Sequence, residues 1–458
     1  MKINLLVAEI GSTTTVVNAF NGISSGKPAF IGQGQAPTTV LDGDVNIGLK
    51  GAIDNLKENL GAKNIEYDEL IATSSAAGGL RMTVHGLVYD MTVRAAKEAA
   101  LGAGANIHQI TAGRLRRTDI KKLKEIKPNI ILIAGGVDYG ERDTALYNAE
   151  KIAELDLEIP VIYAGNIENH EEIKLLFEET KSKLYIVENV YPKIDQLNIE
   201  PTRKVIQEVF EEHITHAPGM TKVREMVTGP IIPTPGAVML ASKLLYNEIG
   251  DLVTLDVGGA TTDVHSVTEG SEEVNRMLVS PEPFAKRTVE GDLGVYVNMK
   301  NIVNRIGIEK LSERLNISID EVKKLIENHK PIPQTNKEKR FVEELTLEAI
   351  VTAVKRHSGK FRHLYGPNGK KTIAEGKDLT NVKYIIGTGG ALTRLPRRVE
   401  LMKEIPLSNK GNELLPNKEA EILIDNNYIM ATLGVMSKKY PEAALKLLKE
   451  SLKIVAEG

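Results

Sequence analysis

The chain of 458 residues has no cysteine, which excludes disulfides, thiolate zinc sites, cysteine-ligated iron–sulfur clusters and cysteine nucleophiles. It has no tryptophan either, and its 7 Phe and 13 Tyr leave few rings on which single-stranded bases could stack. Charge of one sign is also lacking: 58 Lys+Arg against 61 Asp+Glu give a net charge of −3, so no positive field gathers phosphate backbones and nucleic acid is a poor partner. No apolar run spans a bilayer, since the uncharged stretch from Met226 to Ser242 is broken by Pro230, Pro233 and Pro235. The opening MKINLLVAEIGSTT reads as no secretory leader, because Glu9 interrupts it and no small-residue cleavage site follows; the expected location is cytoplasmic. What is present is 42% apolar and 26% charged residues, enough to bury a core, in a chain too long for one ordinary domain.

Residues 3–8 (INLLVA) read as a buried strand that ends in Glu-Ile-Gly-Ser-Thr-Thr-Thr and returns as VVNAF, a hairpin. A second copy stands at LVTLDVGGATTDVHSV. Aligning Glu9 with Asp256 superposes Gly11 on Gly258, Thr14 on Thr261, Thr15 on Thr262 and Val17 on Val264. Such a duplication predicts two related domains facing a shared cleft. Between the copies, NIILIAGGVD, ALYNAEKIAEL, PVIYAG, HEEIKLLFEETK and LYIVENV alternate as βαβ units, predicting an inserted α/β layer at about 120–192. Residues 308–365 read as a helical subdomain, with Ser318 and Glu321 spaced as a capping box and Pro331 and Pro333 closing that helix. A third apolar strand, VKYIIGTGGALTRLP, ends at Gly389 and Gly390 and leads into a helix. In the tail, Ala443, Leu447, Leu448, Leu452 and Val455 form a packing stripe.

Neither G-x-x-x-x-G-K-[ST] nor a strand-borne G-x-G-x-x-G occurs, so the P-loop and the dinucleotide fingerprint are both missing. What remains is a strand-end carboxylate followed by glycine and hydroxyl residues, found twice. Glycine lets backbone N–H groups approach phosphate oxygens, and hydroxyls add donors, so each turn forms an anion cradle. A carboxylate repels phosphate but can hold Mg²⁺ through water. One such turn serves a plain β-hairpin equally well; two of them, followed by strand–GTGG–helix, make a three-part pattern that turn chemistry alone rarely reproduces.

These residues are recognisable. VAEIGSTTT, LDVGGATTDV and IIGTGGALTRLP resemble the two phosphate motifs and the adenosine motif of the actin, sugar-kinase and heat-shock chaperone ATPase superfamily. IIPTPGAVMLASKLL and NNYIMATLGVMSKKY resemble its two connecting helices. The resemblance implies an α/β fold of two actin-like ATPase halves around a nucleotide cleft. The first actin-like domain would occupy 1–230 with the inserted layer, the second 231–425 with the helical subdomain, and C-terminal helices at 426–458 would return to the first. It implies ATP and Mg²⁺ as ligands. Glu9 and Asp256 would hold the metal, with Asp263 joining them as catalytic carboxylates. Gly11, Ser12, Thr13, Thr14, Gly258, Gly259, Ala260 and Thr261 would hold phosphates, and Gly387, Gly389 and Gly390 the nucleoside.

More narrowly, EIGSTTTVVNAF, GDVNIGLKGAI, SSAAGGL, AGGVDYGERDTA, EGDLGVYVN and GTGGAL resemble the glutamate mutase accessory proteins labelled MutL, along nearly the whole chain. A DNA mismatch-repair protein shares that label, but its motifs are not these. The resemblance implies ATP-dependent reactivation of an adenosylcobalamin-dependent mutase by release of damaged cobalamin. The mutase would be the partner, with neither nucleic acid nor membrane, and self-association stays open. Two departures stand out: Glu9 replaces the superfamily's usual Asp, and Ile232 fills the slot where the chaperones carry an acid before Pro-Thr. Slow hydrolysis, or reliance on Glu9 or Asp263 to orient water, would follow. An ATP-dependent hydantoinase- or oxoprolinase-like subunit and a non-hydrolysing nucleotide scaffold remain the alternatives.

Other residues read more blandly. His213 and His216 have no third ligand at metal spacing. Ala134–Asp138 reads as a structural turn, and Glu290–Gly294 divides evenly between turn and function.

Overall fold

The hairpin of β1 (Lys2–Ile10) and β2 (Thr14–Asn21) continues into β3 (Ala29–Pro37) as an antiparallel meander, and β4 (Glu66–Ser74) then joins β1 in parallel. The computed structural model describes residues 1–11, 14–39, 44–75, 80–213, 226–366 and 369–454. It divides into two units, Met1–Ala241 with Ala431–Leu447, and Ser242–Met430 with Leu448–Gly458. The first division falls inside the helix Thr234–Ile249.

In the first unit the chain leaves the meander to build a second sheet. Its strands are β5 (Leu80–Gly86), β6 (Ala105–Ala112), β7 (Ile130–Ile133), β8 (Val161–Tyr163) and β9 (Leu184–Ile186). Every pair is parallel and the order is β6-β5-β7-β8-β9, a doubly wound arrangement. The layer therefore begins at Leu80 rather than near 120. Its first strands escaped the pattern for a physical reason. β6 is an edge strand with one face open, and β5 buries Thr83 and His85 by pairing the imidazole with the hydroxyls of Thr83 and Thr111 at 3.0 and 2.8 Å. β10 (Ile231–Pro233) then returns to the first sheet beside β4, completing the order β3-β2-β1-β4-β10.

The second unit repeats that plan. β11 (Leu252–Val257), β12 (Thr262–Val267) and β13 (Ala285–Glu290) form the antiparallel meander. After them come the helices Met299–Ile306, Ile308–Leu315, Ile319–Glu327 and Asn336–His357. Ser318 and Glu321 form the expected reciprocal cap. This run of helices stops at His357, however. Lys360–Gly366 is β14, held in strand form by antiparallel pairing with β15 (Gly369–Glu375), although Phe361, Leu364 and Tyr365 fall at helical spacing. β16 (Tyr384–Thr388) and β17 (Glu421–Ile424) complete the order β13-β12-β11-β16-β17, matching the first unit pair for pair in sense and direction.

Each sheet is anchored by its apolar face. Val253, Leu255, Val257 and Val264 share one buried cluster with Leu345, Ile350 and Val354 of the long helix, each such side chain contributing roughly 1.5–3 kcal/mol. The sheet is thereby fixed, and the strand ends are left to carry chemistry.

Candidate nucleotide site

The two hairpins close on the same hydrogen bond. Gly11 donates its N–H to the Thr14 carbonyl at 3.0 Å, and Gly258 donates to the Thr261 carbonyl at 3.0 Å. Glu9 lies across from Val16 in one ladder and Asp256 across from Asp263 in the other. The sequence superposition of Glu9 on Asp256 is thus reproduced in backbone register. A Cβ on Gly11 would stand 2.7 Å from the Thr14 carbonyl oxygen, so the tight return requires glycine. Thr14 is exposed at the start of β2. Ser12 and Thr13 lie outside the described residues.

The second turn shows how its amides are aimed. Val295 N–H donates to Gly258 O at 3.2 Å, Tyr296 and Val297 N–H donate to Gly259 O at 2.9 and 2.8 Å, and Asn298 Nδ2 donates to Ala260 O at 2.8 Å. These bonds draw three successive carbonyls to one side. In a trans peptide the following N–H points the opposite way, so the amides of Gly259, Ala260 and Thr261 face away from that loop. Gly259 is exposed, and Asp256, Gly258, Ala260 and Thr261 are half-buried. The result is an accessible nest of amides beside a carboxylate, the donor set that a Mg-polyphosphate requires. Among the described residues no three His, Asp or Glu gather to hold a metal by themselves, so a cation here would be shared among carboxylate, water and phosphate.

The Glu290–Gly294 segment supports this nest. A Cβ on Gly294 would stand 2.3 Å from the Ala260 carbonyl, and Thr262 Oγ1 donates to Leu293 O at 2.7 Å. Asn298, which sequence reasoning missed, bridges the two pieces by also donating to Gly291 O at 2.8 Å. Its signal was too weak to find, since an asparagine at a helix start is ordinary.

Asp263 departs from the expected catalytic role. Its Oδ1 accepts from Arg287 Nε at 2.8 Å and Nη2 at 2.6 Å, both side chains being buried, and its Oδ2 accepts from the Thr261 hydroxyl at 3.0 Å. The carboxylate is committed to fixing the turn through Thr261, and Arg287, unremarked in the sequence, is what commits it.

The three glycines of the third motif also separate. Thr388 lies beside Asp256 in the parallel ladder of β11 and β16. Gly389 follows at φ +82°, where a Cβ would meet Asp256 Oδ1 at 2.5 Å and Val257 N at 2.7 Å. Gly390 is exposed, with no atom within 4 Å of where its Cβ would sit. Gly387 is buried, and a Cβ there would stand 2.7 Å from Met402 Sδ, so it is a packing glycine rather than the nucleoside contact that was expected.

Asp425 is a further residue that the sequence did not announce. It is buried, and it accepts from the Thr388 hydroxyl at 2.9 Å, the Ser451 hydroxyl at 2.7 Å and the amides of Ile429 and Met430 at 2.9 Å. Burial raises its pKa, and these hydrogen bonds oppose the rise. It ties the GTGG strand end to the start of the helix Met430–Met436. In the first unit, Ile232 is fully buried in β10 beside Thr73, which in turn neighbours Glu9, so the strand carries an aliphatic side chain at the slot where the chaperones have an acid.

His216 lies outside the described residues. Ala134–Asp138 is a closed turn: a Cβ on Gly136 would stand 1.9 Å from Glu141 O, so its glycine serves the loop's own packing.

A family model described as MutL protein matches residues 5–452. The curated Protein MutL of Clostridium tetanomorphum is 34% identical over 459 residues, covering 98% of each chain. Among solved structures, a nucleotide-free acetone carboxylase aligns with a TM-score of 0.43 at 11% identity, over 95% of this chain and 70% of that one. A nucleotide-free diol dehydratase-reactivating factor aligns at 0.36 and 11%, over 96% of this chain and 100% of that one. Likenesses of that size say nothing about function. With a family match from residue 5 to residue 452 and a relative 34% identical along nearly its full length, the chain belongs to the MutL protein family.

Proposed function

We propose that this protein is an ATP-dependent reactivating factor for an adenosylcobalamin-dependent mutase, glutamate mutase or a related aminomutase, and that it uses ATP to release damaged cobalamin. The observation that carries the reading is the second turn, where three carbonyls are tied back and three amides face outward beside Asp256. The repeated turn at Gly11 and membership of the MutL family support it.

In this mechanism the amides of Gly259, Ala260 and Thr261 bind phosphate oxygens, and the open backbone at Gly390 receives the nucleoside. Asp256 in the second unit, and Glu9 in the first, would each hold Mg²⁺ through water, and the ion would supply neutralisation of phosphate charge. Asp263 and Arg287 keep the Thr261 end of the turn in place. Asp425 holds the GTGG strand end to the helix Met430–Met436, so a nucleotide pressing on Gly390 acts on the start of that helix.

A second reading, a scaffold that binds nucleotide without hydrolysing it, draws on Ile232 and on Asp263, since one slot lacks a carboxylate and the other carboxylate is paired. One experiment decides. Cobalamin-inactivated glutamate mutase is incubated with this protein and ATP, ADP or no nucleotide, and recovery of activity, ATP turnover and binding affinity are all measured. The reactivating factor predicts recovery with ATP alone and, by linkage, a roughly 5–150-fold difference in mutase affinity between ATP and ADP forms. Recovery without turnover would favour the scaffold. Equal affinity in all three states, with ATP binding intact, would sink the reading and leave a hydantoinase-like enzyme as the better account.

A further inference from the structure

The carboxyl rim of the doubly wound sheet is where open α/β proteins take ligands, at the point between β5 and β7 where the strand order reverses. Here that point is closed to a small molecule. The Gly136 turn is filled by the Glu141 carbonyl, and a Cβ on Gly165 would stand 3.0 Å from Gly135 N, so loop packs on loop. Asp138 Oδ1 is occupied by Ile167 N–H at 3.1 Å and Asn189 Nδ2 at 3.0 Å.

The same bonds make the rim one continuous surface. Asp138 N–H donates to Pro192 O at 3.0 Å and Tyr139 N–H to Asn166 Oδ1 at 3.3 Å, while a Cβ on Gly135 would lie 3.5 Å from Leu87. The loops after β5, β7, β8 and β9 are thus joined side by side. From them emerge Val88, Tyr89, Tyr139, Ile167 and Ile194, all exposed, Tyr139 the most at 79%. Tyr139 stands at φ +62°, an uncommon conformation for a bulky side chain, held by the Asn166 bond. On the four loops after β5, β7, β8 and β9, Asp90, Glu141, Asp143, Glu168, Glu188 and Asp195 are exposed, against Arg142 and Lys193, with Arg142 paired to Glu168 at 3.5 Å; the adjoining loop after β6 carries the exposed Arg114, Arg116 and Arg117.

We infer that this rim is the docking face for the client enzyme, and that the client meets it with an apolar patch ringed by lysine and arginine. Acidic charge repels phosphate-bearing cofactors and attracts a basic protein surface. Exposed tyrosines on hydrogen-bonded loops supply contact area with little ordering cost. The inference rests on the reactivating-factor reading and specifies its contact surface.

The test uses the full-length protein and glutamate mutase holoenzyme, with affinity measured by calorimetry at low and high salt. Tyr139→Gly is the informative variant, because glycine suits φ +62° and the fold should hold or gain stability. Tyr139→Gly and the pair Asp90→Lys/Glu168→Lys should each weaken mutase binding roughly tenfold or more. ATP affinity should stay unchanged, and the charge pair should flatten the salt dependence. Full-strength binding by both variants would overturn the docking face while leaving the function intact. Absence of mutase binding by the unaltered protein would overturn the function and this inference together.

Discussion

Asp256 Oδ1 lies 2.5 Å from the position that a β-carbon on Gly389 would occupy. The strand-end acid of the second hairpin and Gly389 of the GTGG motif are therefore packed together, although well over a hundred residues separate them. The parallel register of Asp256 with Thr388 puts them there.

This contact sets opposite outcomes at adjacent glycines. Gly389→Ala strains a left-handed backbone and pushes into Asp256, and should cost about 1–3 kcal/mol of stability together with nucleotide binding. Gly390→Val meets open space and should leave the melting temperature nearly unchanged while weakening ATP binding. Thermal melts paired with nucleotide titration check both. Equal stability loss at the two positions would remove Gly390 from the binding surface.

Asp256→Asn keeps the shape of the turn and removes the charge that, on the proposed reading, would hold Mg²⁺. ATP turnover should fall roughly 10²–10³-fold, as for other preorganised electrostatic groups. Glu9→Gln should also lower turnover and shift its Mg²⁺ dependence. A steady-state ATPase assay over a Mg²⁺ series reads both, and an unaltered rate in either variant shows that its carboxylate holds no metal.

Removing Arg287 strands a buried carboxylate. Arg287→Met alone should destabilise by about 3–5 kcal/mol, and adding Asp263→Leu should recover much of that loss, because an apolar pair replaces a buried ion pair at little net cost. Urea denaturation of the single and double variants measures it. If the double variant is no more stable than the single, Asp263 has a role beyond pairing with Arg287.

Acid should destabilise the fold through three buried imidazoles. Burial lowers His85 to about 4 and holds His265 and His357 well below the ordinary value of 6.5. Each is neutral in the folded chain, while its unfolded counterpart takes up a proton below pH 6.5. Stability is fully present above 6.5 and declines as pH falls through that value toward 4, by up to about 4 kcal/mol per pH unit if all three unfold together. Melts between pH 8 and pH 5 test the slope. His357→Gln should flatten it, since the amide can replace the bonds to Ser266 and Thr288 without titrating.

The duplicated turn was legible because its chemistry is local. Gly11 and Gly258 each return to a carbonyl three residues on, a geometry that any chain must write in consecutive residues, and at Gly11 a Cβ would clash with that carbonyl. The capping box at Ser318 and Glu321 was legible for the same reason. Residues 360–365 were misread as helix because a short charged segment next to a long helix carries no clear strand periodicity, and antiparallel pairing with Gly369–Glu375 decided its state.

The sequence by itself determined the two strand-end acids, the glycine turns behind them and the absence of any thiol or P-loop chemistry, since each is a matter of residue identity at fixed spacing. Tertiary structure alone decided what those residues do. Asp263 looked like a second catalytic acid until β13 brought Arg287 to it. The glycines at 387, 389 and 390 looked equivalent until Met402 closed over the first, Asp256 stood against the second and open space remained at the third. A carboxylate's role depends on its partners and a glycine's on what fills the missing side chain, and both come from strands distant in sequence, brought alongside by sheet register.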